Sequence, residues 1–155
     1  MTYQQIIALD AMGGDFGPSV TIPAAAKALE KMSDTRFLIY GDERVIKPIL
    51  NLHPELKKHS ELTHTDISIA STDKPSAALR NGKGSSMRLA IEAVRDGIAD
   101  GVVSAGNTGA LMVMSKMLLK CLPGITRPAI ASVMPTATGK VVMLDLGANL
   151  SCDAE

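Results

Sequence analysis

Tryptophan is absent from this chain, and two tyrosines with two phenylalanines hold the aromatic fraction to 3%. A chain so poor in aromatic rings offers no platform on which nucleic-acid bases can stack. An excess of one charge is missing as well: 16 Lys+Arg balance 16 Asp+Glu over 155 residues, and no basic block is longer than Lys57-Lys58. The sequence therefore lacks the electrostatic footprint of a nucleic-acid binder. The longest uninterrupted apolar run, Ala110 to Met114, is five residues, against the roughly 18 that a bilayer span requires. The two cysteines, Cys121 and Cys152, have no CxxC spacing and no histidine nearby, which argues against a zinc site and against a disulfide framework. No basic stretch opens the chain at Met1 to Gln5, so a secretory or transit peptide is not expected and the reading is cytoplasmic. Neither GxGxxG nor GxxxxGK[ST] occurs, leaving dinucleotide and P-loop readings without a motif.

What is present is ordinary globular composition, 46% apolar and 21% charged, enough to bury a core in one domain over 1–155. Apolar runs alternate with helical periodicity. Ile6 to Asp10 reads as a strand closed by Gly13-Gly14, followed by an Ala-rich helix from Val20 to Met32. Phe37 to Tyr40 repeats the pattern, with Asp42 as N-cap of a helix through Leu50 that Pro48 should kink or shorten. Ile67 to Ala70 predicts a weaker third strand, and Ser71 to Gly84 a long polar loop of the kind that often carries function. Ser85 caps the next predicted helix, which carries Met87, Ala90, Ile91 and Val94 on one stripe and stops at Gly97. A strand at Gly101 to Ser104 leads into a helix from Ala110 to Leu122. Two runs, Ala129 to Met134 and Val141 to Leu146, flank a short turn-rich link and predict an antiparallel hairpin. The histidines His53, His59 and His64 fall in the most polar segment and read as surface residues. Together these elements predict an α/β fold, with a mostly parallel sheet, helices on both faces and one hairpin.

Ligands of such sheets sit beyond the carboxyl ends of the strands, and there the sequence places small residues. Ser104-Ala105-Gly106-Asn107-Thr108-Gly109 lies between a predicted strand and a predicted helix. Its glycines permit close backbone approach, helix N-terminal N–H groups favour an anion, and Ser104, Asn107 and Thr108 add side-chain donors. The same residues also suit a tight strand-to-helix turn capped by Thr108. Asp10 and Asp15 flank Gly13-Gly14 and can orient a hydroxyl, a cation or basic side chains, or cap a turn before Pro18. Asp145 poses the same choice before Gly147-Ala148-Asn149, and no metal is expected from these acidic tips. Lys83 and Arg88 straddle the start of the Ser85 helix as a second phosphate half-site, unless Arg88 simply pairs with Glu92 one turn on.

Four of these segments, Ile7-Ala8-Leu9-Asp10-Ala11-Met12-Gly13-Gly14-Asp15, Ser85-Ser86-Met87-Arg88, Val103-Ser104-Ala105-Gly106-Asn107-Thr108-Gly109-Ala110-Leu111-Met112 and Leu144-Asp145-Leu146-Gly147-Ala148-Asn149, closely resemble the PlsX family in order and separation, as does Arg127-Pro128-Ala129. These are the bacterial acyl-ACP:phosphate acyltransferases of phospholipid synthesis. The resemblance covers the whole chain but only the N-terminal half of a family member. It implies a fold similar to the isocitrate/isopropylmalate dehydrogenase group, used without any cofactor, and a reaction that passes a long-chain acyl group from acyl carrier protein to inorganic phosphate. By the same resemblance the protein is a homodimer with peripheral membrane association. For that reaction the matching residues suggest a phosphate cradle of Ser104, Gly106, Asn107 and Thr108, a catalytic contact of the Asn107 amide with the developing charge, neutralisation by Lys83 or Arg88, polarisation of the thioester carbonyl or completion of the cradle by Asn149, and orientation of the donors by Asp15 and Asp145. Competing readings are a phosphate acetyl- or butyryltransferase using acyl-CoA, and an inactive phosphate- or carrier-binding fragment.

Overall fold

A computed structural model describes residues 4–126 and 128–145. The chain divides into two compact units, Met1–Lys120 and Cys121–Glu155. In the first unit the elements are β1 (Ile6–Asp10), α1 (Pro18–Lys31), β2 (Arg36–Gly41), α2 (Glu43–Leu50), α3 (Pro54–Lys58), β3 (Ser60–His64), α4 (Pro75–Asn81), α5 (Ser86–Arg95), β4 (Gly101–Ser104) and α6 (Thr108–Leu119). The four strands form a parallel sheet in the order β3-β2-β1-β4. The chain leaves β1 toward β2 and later returns to pair β4 with the opposite edge of β1. That reversal of strand order is a topological switch point, and in sheets of this kind the ligand crevice falls there, at the carboxyl ends of the two strands.

Period-two alternation distributes the core over both faces of the sheet. Leu9 of β1 packs with Ile22, Leu29, Phe37, Ile39, Ile46 and Leu56 beneath α1, α2 and α3. Its neighbour Ala8 turns to the other face, where Ala90 and Ala93 let α5 lie close against the strands. Met87, Ile91, Ala110 and Met114 join α5 to α6. Each fully buried aliphatic side chain of this kind contributes about 1.5–3 kcal/mol. The α5 boundaries follow the sequence: Ser85 Oγ accepts from the Arg88 N–H at 3.3 Å, and Gly97 takes φ +70° just past the end, a backbone that favours glycine.

The third strand is displaced from its predicted place. Residues 65–70 are irregular and β3 is the polar segment Ser60–His64, which pairs with β2 through Phe37↔Ser60 to Gly41↔His64. An edge strand needs only one inward side chain, here Leu62, so it shows no apolar run for a sequence reading to find. Ile69 is buried with Met87 and Ala78 instead, plugging the core from a loop. The predicted loop 71–84 contains the short helix α4, and the polar segment around the histidines contains α3. The last helix ends at Leu119, where Lys120 adopts φ 67°, and not at Leu122.

The second unit holds β5 (Ala131–Thr136) and β6 (Gly139–Leu144), an antiparallel pair with Val133↔Val142 and Met134↔Val141 in register. It is the predicted hairpin, with strands that run closer to the turn than expected. Its predicted end at Leu146 lies outside the described residues.

Candidate active site

Two loops meet at this end of the sheet, the one after β1 (Ala11–Gly17) and the one after β4 (Ala105–Asn107). They touch through glycine. A Cβ built on Gly13 would stand 2.7 Å from the Gly106 nitrogen and 2.8 Å from Asp10 Oδ2, both closer than real carbon contacts permit. Gly14, at φ +88°, packs on Ala105. The glycines after these two strands therefore let one loop seat on the other.

Asp10, the last residue of β1, is 1% exposed. Its Oδ1 accepts from the Ser86 hydroxyl at 2.6 Å and its Oδ2 from the Ser104 hydroxyl at 2.7 Å. Ser104 Oγ in turn accepts the Gly106 N–H at 3.0 Å. Ser86 opens α5, and its own N–H donates to the Ile67 carbonyl. Two helix N-termini, of α5 and α6, are thereby brought to the carboxyl end of β1, and each carries roughly half a positive elementary charge.

Asn107 caps α6. Its Oδ1 accepts the Ala110 N–H at 3.0 Å, and its Nδ2 donates to the carbonyls of Ser71 at 3.0 Å and Asp73 at 2.8 Å. The cap is thus Asn107 and not Thr108, which is exposed as the first helical residue. Helix geometry leaves the Thr108 and Gly109 N–H groups without an intrahelical acceptor, and the Thr108 hydroxyl stands beside them. These donors stay open at the helix start, whereas the Gly106 N–H is taken by Ser104.

The other predicted site residues fall as follows. Lys83 is exposed three residues before Ser86, which keeps its backbone within about 11 Å of the Asp10 network. Arg88 lies one turn inside α5 and pairs with Glu92 at 3.0 Å, so its guanidinium is directed down the helix. Asp15 is exposed and makes no hydrogen bond or ion pair among the described residues; the carboxylate that orients the loop is Asp10. Asp145 ends the hairpin of the second unit at φ 62°, with its N–H donating to the Ile130 carbonyl. Asn149 lies outside the described residues. Ser86 escaped the sequence reading as a site residue; the only trace of it was the tandem Ser85-Ser86, in which one serine suffices for capping.

Beside the crevice, the guanidinium of Arg44 grips Asp42, donating from Nη2 to Oδ2 at 2.7 Å. These bonds hold the Asp42 carboxyl down at about 2. Asp42 also caps α2 through the Arg44 N–H, and its own N–H meets Met12 Sδ at 3.4 Å. A groove of about 440 Å³ lined by Ala26, Leu29, His53, Leu56 and His59 lies at the amino ends of the strands, away from these loops. No group of three His, Cys, Asp or Glu among the described residues is arranged to hold a metal.

The fold and site define an α/β protein with a capped helix N-terminus at the switch point of a parallel sheet. Residues 6–155 match the fatty acid synthesis protein family, and the chain belongs to that family, the PlsX family that its motifs resemble. It is similar to curated proteins named phosphate acyltransferase. The one from Rhodopseudomonas palustris strain BisB18 is 57% identical over 156 residues, covering 100% of this chain and 44% of the relative. That from strain BisB5 is 60% identical over 149 residues, 96% of this chain and 42% of the relative. That from Beijerinckia indica is 55% identical over 149 residues, 96% of this chain and 39% of the relative. The chain thus spans less than half the length of the relatives it matches. No helix among the described residues is long and apolar enough to cross a membrane.

Proposed function

We propose that this chain is the N-terminal part of a phosphate acyltransferase that converts long-chain acyl-ACP and inorganic phosphate to acyl phosphate and free carrier, for phospholipid synthesis. The observation that carries the reading is the α6 N-terminus. Its Thr108 and Gly109 N–H groups and the Thr108 hydroxyl sit at the switch point of the sheet, in a family whose relatives are named for phosphate acylation.

Phosphate is itself the nucleophile, so the protein needs no acylated side chain. A phosphate oxygen attacks the thioester carbonyl carbon, the oxyanion that forms collapses, and the C–S bond breaks. The carrier leaves as a thiolate that takes a proton from solvent. What the chain must supply is orientation and charge stabilisation. Thr108 and Gly109 hold the phosphate at the positive end of α6, Lys83 screens its charge, and Asn149 polarises the thioester carbonyl. Ser104 and Gly106 shape the loop, while Asn107 fixes the helix start. The homodimer, the cytoplasmic location and the peripheral membrane contact belong to the same proposal.

The test is acyl phosphate formation with long-chain acyl-ACP or acyl-CoA as donor, comparing the chain with its Thr108→Val variant. Turnover from acyl-ACP that the variant reduces about tenfold supports the reading, since one hydrogen bond to a charged group is worth about 1.5–3 kcal/mol. Preference for acyl-CoA would replace it with a phosphate acetyl- or butyryltransferase. Because the chain covers 42–44% of the first relatives, a second reading is a phosphate-binding part that works only with the rest of the enzyme; phosphate-dependent stabilisation without turnover would establish that.

A further inference from the structure

We propose that Asp10 is the positioning residue of the phosphate loop, acting through Ser104 and Ser86. The ligand-binding arm of this proposal rests on the phosphate reading above. Asp10 never meets the ligand: Gly13 closes the space over it, as the 2.8 Å approach of an added Cβ to Oδ2 shows. Among the described residues no lysine or arginine forms an ion pair with it, although it is nearly inaccessible. Taking an unpaired carboxylate out of water is costly. The two hydroxyl donors and the α5 N-terminus offset that cost.

What the carboxylate provides is direction. A serine hydroxyl has one proton and two lone pairs. Asp10 Oδ2 accepts the hydrogen bond of the Ser104 hydroxyl, leaving the Ser104 oxygen to accept in turn, and it accepts from the Gly106 N–H. The Gly106 N–H is thus drawn inward, which leaves Thr108 and Gly109, the next positions of the helix start, as the donors presented to the anion. Through Oδ1 the same carboxylate fixes the first residue of α5. Three segments far apart in sequence, at residues 10, 86 and 104, share one carboxyl group. An asparagine at position 10 would present one acceptor and one amide donor, so it cannot receive both hydroxyl protons.

The experiment is amide exchange and phosphate titration by NMR on the 155-residue chain and its Asp10→Asn, Ser104→Ala, Ser86→Ala and Asp10→Asn/Ser104→Ala variants. Asp10→Asn and Ser104→Ala should each speed exchange at the Gly106 N–H about tenfold, and weaken inorganic phosphate binding by a similar factor, the loss of one charge-assisted bond. Core amides such as that of Ile39 should keep their rates. Because Asp10 reaches the Gly106 N–H through Ser104 alone, exchange at that amide in the double variant should be no faster than in Ser104→Ala. Gly106 exchange faster in the double variant than in Ser104→Ala, or within twofold of the parent in Asp10→Asn, would overturn the proposal. If Asp10→Asn does not fold, Ser104→Ala and Ser86→Ala decide it, and unchanged Gly106 exchange in Ser104→Ala is then the refuting result. Absence of phosphate-induced shifts at Thr108 and Gly109 in the parent chain would remove the phosphate reading instead, leaving the hold of Asp10 on the loop to be judged by Gly106 exchange alone.

Discussion

Asn107 and Asp73, 34 positions apart, are joined by a 2.8 Å hydrogen bond from the Asn107 amide to the Asp73 carbonyl. With its oxygen on the Ala110 N–H, the same side chain starts α6 and tethers the segment before α4. The sequence assigns this amide to the phosphate or the developing charge; the structure commits it to the backbone. In the proposed reaction its part is to hold the helix terminus in place.

Asn107→Ala should cost about 1–2 kcal/mol of stability, the usual loss when a helix cap is removed, and lower acyl phosphate formation at least about tenfold. Asn107→Asp keeps a capping oxygen but sets a second acceptor against the carbonyls of Ser71 and Asp73. It should retain most of the stability in urea denaturation while cleavage at Ser71 to Lys74 by added protease accelerates. Equal cleavage rates in both variants and the parent would show that the tether does not hold this segment.

Gly13→Ala places a methyl group against the Gly106 nitrogen, which is backbone, and Asp10 Oδ2, which is buried and held by the Ser104 hydroxyl. Overpacking of this kind costs about 1–3 kcal/mol. The two loops must separate, so phosphate affinity should fall along with the unfolding midpoint, measured by denaturation and calorimetry on one preparation. A variant of parental stability and affinity would mean that the loops are not in contact in solution.

Lys83→Met tests charge screening. The position is exposed, so stability should stay within about 0.5 kcal/mol of the parent. Phosphate binding should weaken several-fold at low ionic strength, and the difference should shrink as salt is raised, because exposed charges are screened beyond about 10 Å at 0.1 M. A difference independent of salt would assign the effect to loop structure.

Acid stability follows from Asp42 and Arg44. The hydrogen bonds from Arg44 lower the Asp42 carboxyl from its ordinary 3.8 to about 2. A carboxyl whose folded value lies below its unfolded one stabilises the fold above the unfolded value and loses that contribution as pH falls through the folded one. Arg44→Gln should therefore be less stable than the parent at neutral pH, with the gap closing between about pH 4 and pH 2. Denaturation curves across that window give the answer, and a gap that stays constant would remove the pair as its cause.

The sequence makes much of this legible because local rules and the fold agree. Ile6 to Asp10, Phe37 to Tyr40 and Gly101 to Ser104 are strands, and Ser85 and Gly97 bound a helix, since apolar period, caps and turn glycines all act within a few residues. The edge strand Ser60–His64 was invisible for the complementary reason: its pairing partner is β2, and its composition carries almost no record of that. Within the site, Ser104, Gly106, Asn107 and Thr108 share one loop and could be named together. Ser86 could not be joined to them, because nothing local to the α5 start distinguishes a serine bonded to Asp10 from one that simply begins a helix.

The sequence by itself determined the α/β alternation, the hairpin, the Gly-rich turns at strand ends and the family. Tertiary structure alone decided what those residues do for one another. It brought β4 beside β1, so that Gly13 meets Gly106. It put one carboxylate between two hydroxyls 18 positions apart and used the Asn107 amide on the backbone of a segment more than 30 positions away. The physical reason is range: helix and strand propensities act over neighbouring residues, whereas a buried hydrogen bond is set by which strands pair and how closely their loops approach.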